Sequence, residues 1–278
     1  MILSNYHTHT NYCDGIDTIQ QNVDAALAKG FHSLGFSGHG YVPFEGLFCG
    51  MRPESIAEYR SAVNGLKESY AGRLNIYTGL ENDSVCMLPA GDYDYTIGSI
   101  HCLKCGDNYY SIDSYCAIAA STIEAEFGGD GLAYAVAYYD AVLEFVGEKS
   151  ADILGHIDLV RRFNRVNKCS DAFSFFDEGS ADYRNAASAA LERAVRAGYI
   201  IEVNTAPILK GFSDEPYPAR FLLEIAREMD ARIIVNSDAH YAKNLDYAFD
   251  KAEKLLRELG YKERWELTPE GFEPIRIT

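Results

Sequence analysis

The chain has 278 residues, of which 47% are hydrophobic, 13% aromatic and 24% charged, so it can bury a sizeable core and is not a disordered protein. Asp and Glu number 41 against 25 Lys and Arg, which gives a formal net charge of −16. Such an acidic surface repels phosphate backbones and anionic lipids, which argues against binding to nucleic acid or membranes. An anionic substrate would need a local cationic feature in its binding site.

Short apolar runs alternate with longer segments of helical period along the chain. The runs predict seven strands, over residues 2–6, 33–37, 74–80, 93–100, 152–155, 199–204 and 232–237. The periodic segments predict seven helices, over residues 19–29, 54–70, 113–127, 132–148, 182–197, 218–229 and 245–259. Because most strands are separated by helices, we expect an α/β fold with a parallel sheet closed into a barrel. No linker or repeat divides the sequence, so residues 1–278 are expected to form a single domain.

The amino terminus and the cysteines bear on localisation. The opening residues, MILSNYHTHTNYCDG, lack the basic and apolar segments of a signal peptide. Seven scattered cysteines, an odd number, favour reduced thiols and a cytoplasmic protein. Cys102 and Cys105 form a lone CxxC pair. Without a second pair, we expect two ordinary thiols in a hairpin and not a zinc site.

Six of the seven histidines, together with two carboxylates, lie just past the C-terminal ends of predicted strands. They are His7, His9, His39, Glu81, His101, His156, Asp238 and His240. Strand ends of a closed parallel barrel converge on one face, so these side chains are expected in one pocket. A single histidine at a strand end is more often structural, but the joint placement favours metal binding. His32 precedes a strand and is expected to be structural at the opposite rim.

Imidazole and carboxylate are ligands of zinc, manganese and ferrous iron, and the sequence does not distinguish between these metals. His7 and His9, two residues apart in an extended segment, point the same way and can bind one ion together. Eight or nine convergent ligands exceed the needs of one ion and indicate two or three. The sequence therefore predicts a multinuclear site.

The same motifs resemble those of the PHP (polymerase and histidinol phosphatase) superfamily. They are HTHT at residues 7–10, the isolated His39, GLE ending at Glu81, SIH ending at His101, GHID at residues 155–158 and SDAH at residues 237–240. Their order matches the family pattern over nearly the whole chain. The resemblance implies a distorted seven-stranded (β/α)7 TIM-like barrel and a metal-dependent phosphoesterase with a trinuclear site.

The resemblance also implies a set of ligands for each of three divalent ions. The sets are His7, His9, Glu81 and Asp238 for the first ion, Glu81, His101 and His156 for the second, and Asp14, His39 and His240 for the third. Many relatives carry histidine at the place of Asp14. The alternative interpretation of Asp14 is a turn residue, because Asp-Gly is a strong turn signal.

The segments GHIDLVRRF, IEVNT and EPYP resemble the monofunctional histidinol-phosphate phosphatase branch in particular. This implies hydrolysis of a small phosphate monoester, L-histidinol phosphate, in histidine biosynthesis. A metal-bridging hydroxide held at Glu81 is expected to attack the phosphorus, and Asp238 or His240 to protonate the leaving alkoxide.

Phosphate binding in that branch is expected from arginines after the fifth and sixth strands. Arg161 or Arg162 fits the first position, although a solvated basic patch is the alternative. Leu209 stands at the second position, where the branch carries arginine, and Lys210 could supply the charge. Lysine lacks the bidentate fork of arginine.

Two other functions remain open at this point. One is cleavage of another phosphoester, such as a nucleotide or an oligonucleotide end, against which the net charge of −16 argues. The other is a metal-bound domain that binds a partner without hydrolysis. The sequence does not indicate an oligomeric state.

Overall fold

A computed structural model of the protein describes residues 1–42, 50–86, 92–147, 151–164 and 174–277. Its strands are β1 (Ser4–Asn5), β2 (Ser33–Phe36), β3 (Asn75–Asp83), β4 (Tyr95–Ser99), β5 (Cys102–Cys105), β6 (Asn108–Ser111), β7 (Ile153–Leu154), β8 (Ile200–Asn204), β9 (Ile233–Asn236), β10 (Glu263–Thr268) and β11 (Gly271–Arg276). Its helices are α1 (Ile19–Ala28), α2 (Pro53–Tyr70), α3 (Cys116–Phe127), α4 (Gly131–Gly147), α5 (Ala181–Ala197), α6 (Ala206–Lys210), α7 (Arg220–Glu228) and α8 (Phe249–Glu258).

Seven of the strands form one parallel sheet in the order β1-β2-β3-β4-β7-β8-β9. A parallel bridge between Thr8 and Ala239 joins the outermost strands just past their C-terminal ends. The sheet is thus nearly closed into a barrel surrounded by helices. The predicted α/β barrel and its seven strands are confirmed.

The buried apolar side chains form two clusters. The larger one lies between the strands and the apolar faces of the surrounding helices. The smaller one contains side chains from the strands and from the C-terminal hairpin, including Tyr95, Ile97 and Ile200, and fills the barrel interior. The chemistry-bearing side chains therefore lie above a closed apolar floor, at the C-terminal ends of the strands.

The C-terminal hairpin of β10 and β11 was not predicted from the sequence. Its Leu267 carbonyl accepts a hydrogen bond from Tyr6 Oη at 3.1 Å, and Glu266 Oε2 lies 2.8 Å from His32 Nε2. The hairpin therefore covers the N-terminal end of the barrel. His32 lies at this end, away from the other histidines, as predicted.

The thiols only partly follow the sequence prediction. Cys102 and Cys105 are free and lie on β5, which pairs with β6 in an antiparallel hairpin, as expected. Cys13 and Cys86 are also thiols that form no disulfide. Cys116 is disulfide-bonded, so the expectation of reduced thiols does not hold at this position. An odd cysteine count does not prevent a single pair from forming.

The predicted long loop over residues 41–53 lies partly outside the described residues. Within the part of the chain that the structure describes, no helix is both long enough and apolar enough to cross a bilayer.

Candidate metal centre

The structure brings together nine side chains from all along the chain at the C-terminal edge of the barrel. They form four overlapping groups in which the ligand atoms lie within 4.8 Å of one another. The groups are His9, Asp14, His39 and His240; His7, His156 and Asp238; His7, His9 and Glu81; and His39, Glu81 and His101. All nine residues that the sequence analysis named as ligands belong to these groups.

Glu81, on β3, lies at the middle of this arrangement. Its Oε2 is 3.2 Å from His7 Nε2 and 2.8 Å from His39 Nδ1. Its Oε1 is 3.3 Å from His101 Nε2 and 3.1 Å from His156 Nε2. Oε2 also lies 3.5 Å from His9 Nε2. The two oxygens therefore face different sets of imidazoles, which is the geometry a bridging carboxylate requires.

Asp238 and Asp14 also contact histidines of the cluster. Asp238 Oδ1 lies 3.1 Å from His9 Nε2, and Asp14 Oδ2 lies 3.1 Å from His240 Nε2. Asp238 has a φ of 51°, in the left-handed region that non-glycine residues seldom adopt. Strained backbone of this kind concentrates at functional sites, where the surrounding structure must hold it in place.

Burial and neighbouring charges set the protonation of these groups. Burial raises the pKa of Glu81, but the imidazoles of His39 and His7 outweigh it and hold that pKa well below its usual range. Burial, together with nearby His240 and His39, lowers the pKa of His9 to about 3. An ionised carboxylate and a neutral imidazole are the forms that bind a metal ion.

Several of these buried atoms lack a hydrogen-bond partner among the residues that the structure describes. They include His7 Nε2, His9 Nε2, Asp14 Oδ1 and Glu81 Oε2. Buried polar atoms are costly when they remain unpaired, so such a cluster requires an explanation. The imidazole nitrogens and carboxylate oxygens of the cluster face one another and can donate lone pairs to divalent cations. The residues present therefore fit a metal-binding site.

Two buried carboxylates that the sequence analysis did not identify contact the histidines on their far sides. Glu202 Oε1 lies 2.7 Å from His7 Nδ1, and Asp83 Oδ2 lies 2.9 Å from His101 Nδ1. Asp83 follows Glu81 at a spacing of two, and Glu202 is a lone charge within an apolar strand. Both features were visible in the sequence as charges on strands expected to be buried.

A cavity of about 540 Å³ opens directly above the histidines and carboxylates. Its wall carries the cationic side chains Arg162 and Lys210, the carboxylate of Asp113 and the ring of Tyr115. Arg162 Nη1 lies 3.1 Å from Asp113 Oδ2, and Arg162 Nε is buried without a hydrogen-bond partner among the described residues. The cavity therefore combines a metal-ligand floor with a wall of mixed charge.

The structure does not bring Arg161 into this cavity, which corrects the expectation for that residue. Its buried guanidinium pairs with Asp158 at 2.7 Å and with Glu178 at 2.9 Å. The short helical turn after β7 directs adjacent side chains to opposite sides. Of the two arginines, Arg162 therefore faces the cavity and Arg161 does not. Leu209 is also absent from the cavity wall, whereas the neighbouring Lys210 forms part of it.

A family model described as "PHP domain" matches residues 5–206. The match covers more than half of the chain and includes seven of the nine clustered side chains. The chain belongs to the PHP domain family. Asp238 and His240 lie beyond the matched residues, and the fold brings them to the same site as the other seven.

Relatives of this PHP chain extend over almost its whole length. The histidinol-phosphatase of Bacillus subtilis (strain 168) is 27% identical over 270 residues, covering 88% of this chain and 96% of the relative. A solved histidinol phosphate phosphatase from Lactococcus lactis, in complex with zinc, L-histidinol and phosphate, superposes with a TM-score of 0.73 at 20% identity and covers 97% of this chain and 98% of its own. A Listeria monocytogenes structure gives a TM-score of 0.74 at 19% identity and covers 89% of this chain and 99% of its own. These superpositions show that the PHP barrel is shared.

Proposed function

We propose that this PHP protein is a metal-dependent phosphatase that hydrolyses L-histidinol phosphate to L-histidinol and phosphate. The observation that supports this most directly is the convergence of nine ligand-type side chains beneath a cavity that also carries Arg162, Lys210 and Asp113. The Bacillus subtilis relative, named a histidinol-phosphatase and similar over most of both chains, supports the choice of substrate.

Three divalent ions are proposed for the site, drawn from zinc, manganese and iron. The overlapping ligand groups support more than one ion, since Asp14, His39 and His240 share one group while Glu81 belongs to two others. Zinc in the Lactococcus lactis structure supports zinc as one choice. When bound, such ions lower the pKa of water and neutralise charge on phosphoryl oxygens.

Arg162 and Lys210 would bind the phosphate group from the cavity wall. Arg162 Nε is a buried donor without a partner among the described residues, and a phosphate oxygen would satisfy it. The Asp113 carboxylate beside it would then face the cationic part of the substrate, because histidinol phosphate carries an ammonium group as well as a phosphate. This arrangement explains how a chain with a net charge of −16 can bind an anion.

Hydrolysis also requires a proton for the leaving alkoxide. Asp238 and His240 both line the cavity, and His240 Nδ1 lies 3.0 Å from the carbonyl oxygen of Asp238. We propose that one of these two residues delivers the proton. Glu81 is buried and would hold the ligand shell together.

Steady-state kinetics on L-histidinol phosphate, with the metal content of the same sample measured, tests the proposal. We expect kcat/KM for histidinol phosphate to exceed that for a generic aryl phosphate by a factor on the order of 10², because the generic ester lacks the amine that Asp113 would bind. Faster cleavage of nucleotides or oligonucleotide ends would favour the alternative phosphoesterase. A metal-loaded protein inactive on every ester would instead indicate a partner-binding domain.

A further inference from the structure

The carboxylate of Glu202 accepts four hydrogen bonds beneath the metal centre. Its side chain lies on β8 and has no exposed surface. Oε1 accepts from His7 Nδ1 at 2.7 Å and from Asn236 Nδ2 at 2.9 Å. Oε2 accepts from the backbone amide of His156 at 3.0 Å and from Asn204 Nδ2 at 3.0 Å. Every contact is therefore a donor pointing at a carboxylate oxygen.

This arrangement fixes the tautomer of His7. An ionised carboxylate only accepts hydrogen bonds, so Nδ1 of His7 carries the ring proton. In the neutral imidazole, which is the form that binds a metal ion, the lone pair is then on Nε2, and this atom faces Glu81 Oε2 at 3.2 Å and Asp238 Oδ1 at 3.7 Å. A histidine ligand whose second nitrogen donates to a carboxylate is oriented and made more basic toward the metal.

Glu202 also connects parts of the barrel that are not adjacent in the sheet. β8 lies between β7 and β9, whereas His7 follows β1 on the far side of β9. The side chain thus reaches across β9, where Asn236 supports it, to His7, and holds the backbone of His156 after β7 at the same time. One residue sets the relative positions of two histidines from different strands.

We propose that Glu202 is a positioning residue of the metal centre, which holds His7 in its metal-binding tautomer and His156 at its place beneath the cavity. The inference rests on the proposed function, because it assumes that the nine-residue cluster binds metal. Glu202 touches neither the cavity nor the substrate. Its loss should therefore weaken metal binding and leave KM for the substrate of the fully loaded enzyme unchanged.

The experiment measures the zinc Kd of the metal-free full-length protein by competition with a coloured chelator, for the wild type and for Glu202→Gln. A glutamine side chain has one accepting oxygen and one donating NH2 group. The NH2 group would face one of the two pairs of donors, so glutamine cannot accept all four hydrogen bonds. We expect zinc binding to weaken by about 10- to 100-fold. Glu266→Gln is the matched control, since Glu266 is another buried carboxylate, at the opposite end of the barrel, bonded to Ser4 and His32. It should lower stability and leave the zinc Kd unchanged.

A purely structural role for Glu202 predicts that both glutamine variants behave alike, and that result would overturn the proposal. A second test uses His7→Ala. If Glu202 acts through this histidine, the double variant should lose less affinity than the sum of the two single losses, whereas full additivity contradicts the inference.

A milder variant covers the case in which Glu202→Gln does not fold. Asn236→Ala removes one donor to Oε1 and leaves the carboxylate in place. It should weaken zinc binding by less than the glutamine variant, and an unchanged Kd would refute the positioning role. Absence of zinc binding in the wild type would instead refute the metal site of the proposed function, so the two failures are distinguishable.

Discussion

The backbone amide of Ala239 donates a hydrogen bond to the carbonyl oxygen of His7 at 3.0 Å, and this contact closes the barrel at the metal centre. The reciprocal bond runs from the His9 amide to the Ala239 carbonyl at 2.9 Å. Because side chains alternate along an extended segment, His7 and His9 on one side meet Asp238 and His240 on the other. The first and last ligand segments are thus held in one frame by main-chain bonds, before any ion is bound.

Glu81 should be the residue whose loss damages the centre most, since its two oxygens face five imidazoles. We expect Glu81→Ala to release metal and to lower kcat/KM for the phosphomonoester by at least about 10³-fold, because several kcal/mol of charge stabilisation depends on the ions. Metal analysis by mass spectrometry and a phosphate-release assay on the same sample provide the measurement. Glu192→Ala is the control and should change neither, because Glu192 is a partly exposed residue of α5 that pairs with Arg196 and lies outside the cluster. An active Glu81→Ala protein with a full metal complement would contradict the assigned role.

Lys210 should contribute to binding of the phosphate group, because Leu209 stands at the position where an arginine was expected. We expect Lys210→Met to raise KM by about 10- to 100-fold, the effect of losing one hydrogen bond to a charged group. Lys210→Arg should retain most of the affinity. The neighbouring Leu209→Ala variant is the matched control, because Leu209 does not line the cavity. Equal KM values for Lys210→Met and the wild type would remove Lys210 from the substrate site.

The barrel and the convergence of eight of the nine candidate ligand residues were predictable because both depend on local patterns, whereas Asp14 was named from the family resemblance. Apolar runs identify the strands, and residues directly after a strand must meet at one edge of a parallel sheet. His101 and His156, for example, follow β4 and β7, which pair in the sheet. The sequence alone was therefore sufficient to bring distant residues into one pocket.

Features that depend on side-chain direction and long-range packing were not predictable. Arg161 and Arg162 are adjacent in sequence, and only the turn after β7 decides which of them faces the cavity. The hairpin of β10 and β11 has no apolar partner nearby in sequence, because it packs against the far end of the barrel. Glu202 was missed because an interior carboxylate is recognised by its hydrogen-bond donors, and three of its four donors come from other segments of the chain.

Glu266 should stabilise the fold in a pH-dependent way. Burial raises the pKa of this carboxyl, but hydrogen bonds from His32 and Ser4 and the charge of Arg264 outweigh it and lower the pKa to about 2. A depressed pKa in the folded state stabilises above the unfolded-state value, and the contribution is lost as the pH falls toward 2. The free energy of unfolding of the metal-free protein should therefore differ between wild type and Glu266→Gln by up to about 3 kcal/mol above pH 5.

Urea denaturation from pH 6 to pH 3 checks this expectation. The difference between wild type and Glu266→Gln should shrink steadily below pH 5, because the wild-type carboxyl becomes protonated on unfolding. Glu273→Gln, on the exposed strand β11, should show no such trend. A difference that stays constant across this range would indicate that the ion pair does not depress the pKa.

Asp113 should determine which phosphomonoesters the enzyme prefers. Its carboxylate lies on the cavity wall 3.1 Å from Arg162 and faces the region that a substrate ammonium group would occupy. We expect Asp113→Asn to lower kcat/KM for histidinol phosphate by about 10- to 100-fold, the effect of losing a hydrogen bond to a charged group. The rate on an aryl phosphate, which has no ammonium group, should fall much less, because that substrate offers no cation to the carboxylate. Equal losses on the two esters would show instead that Asp113 acts only by holding Arg162, and parallel kinetics on both substrates decide between the two roles.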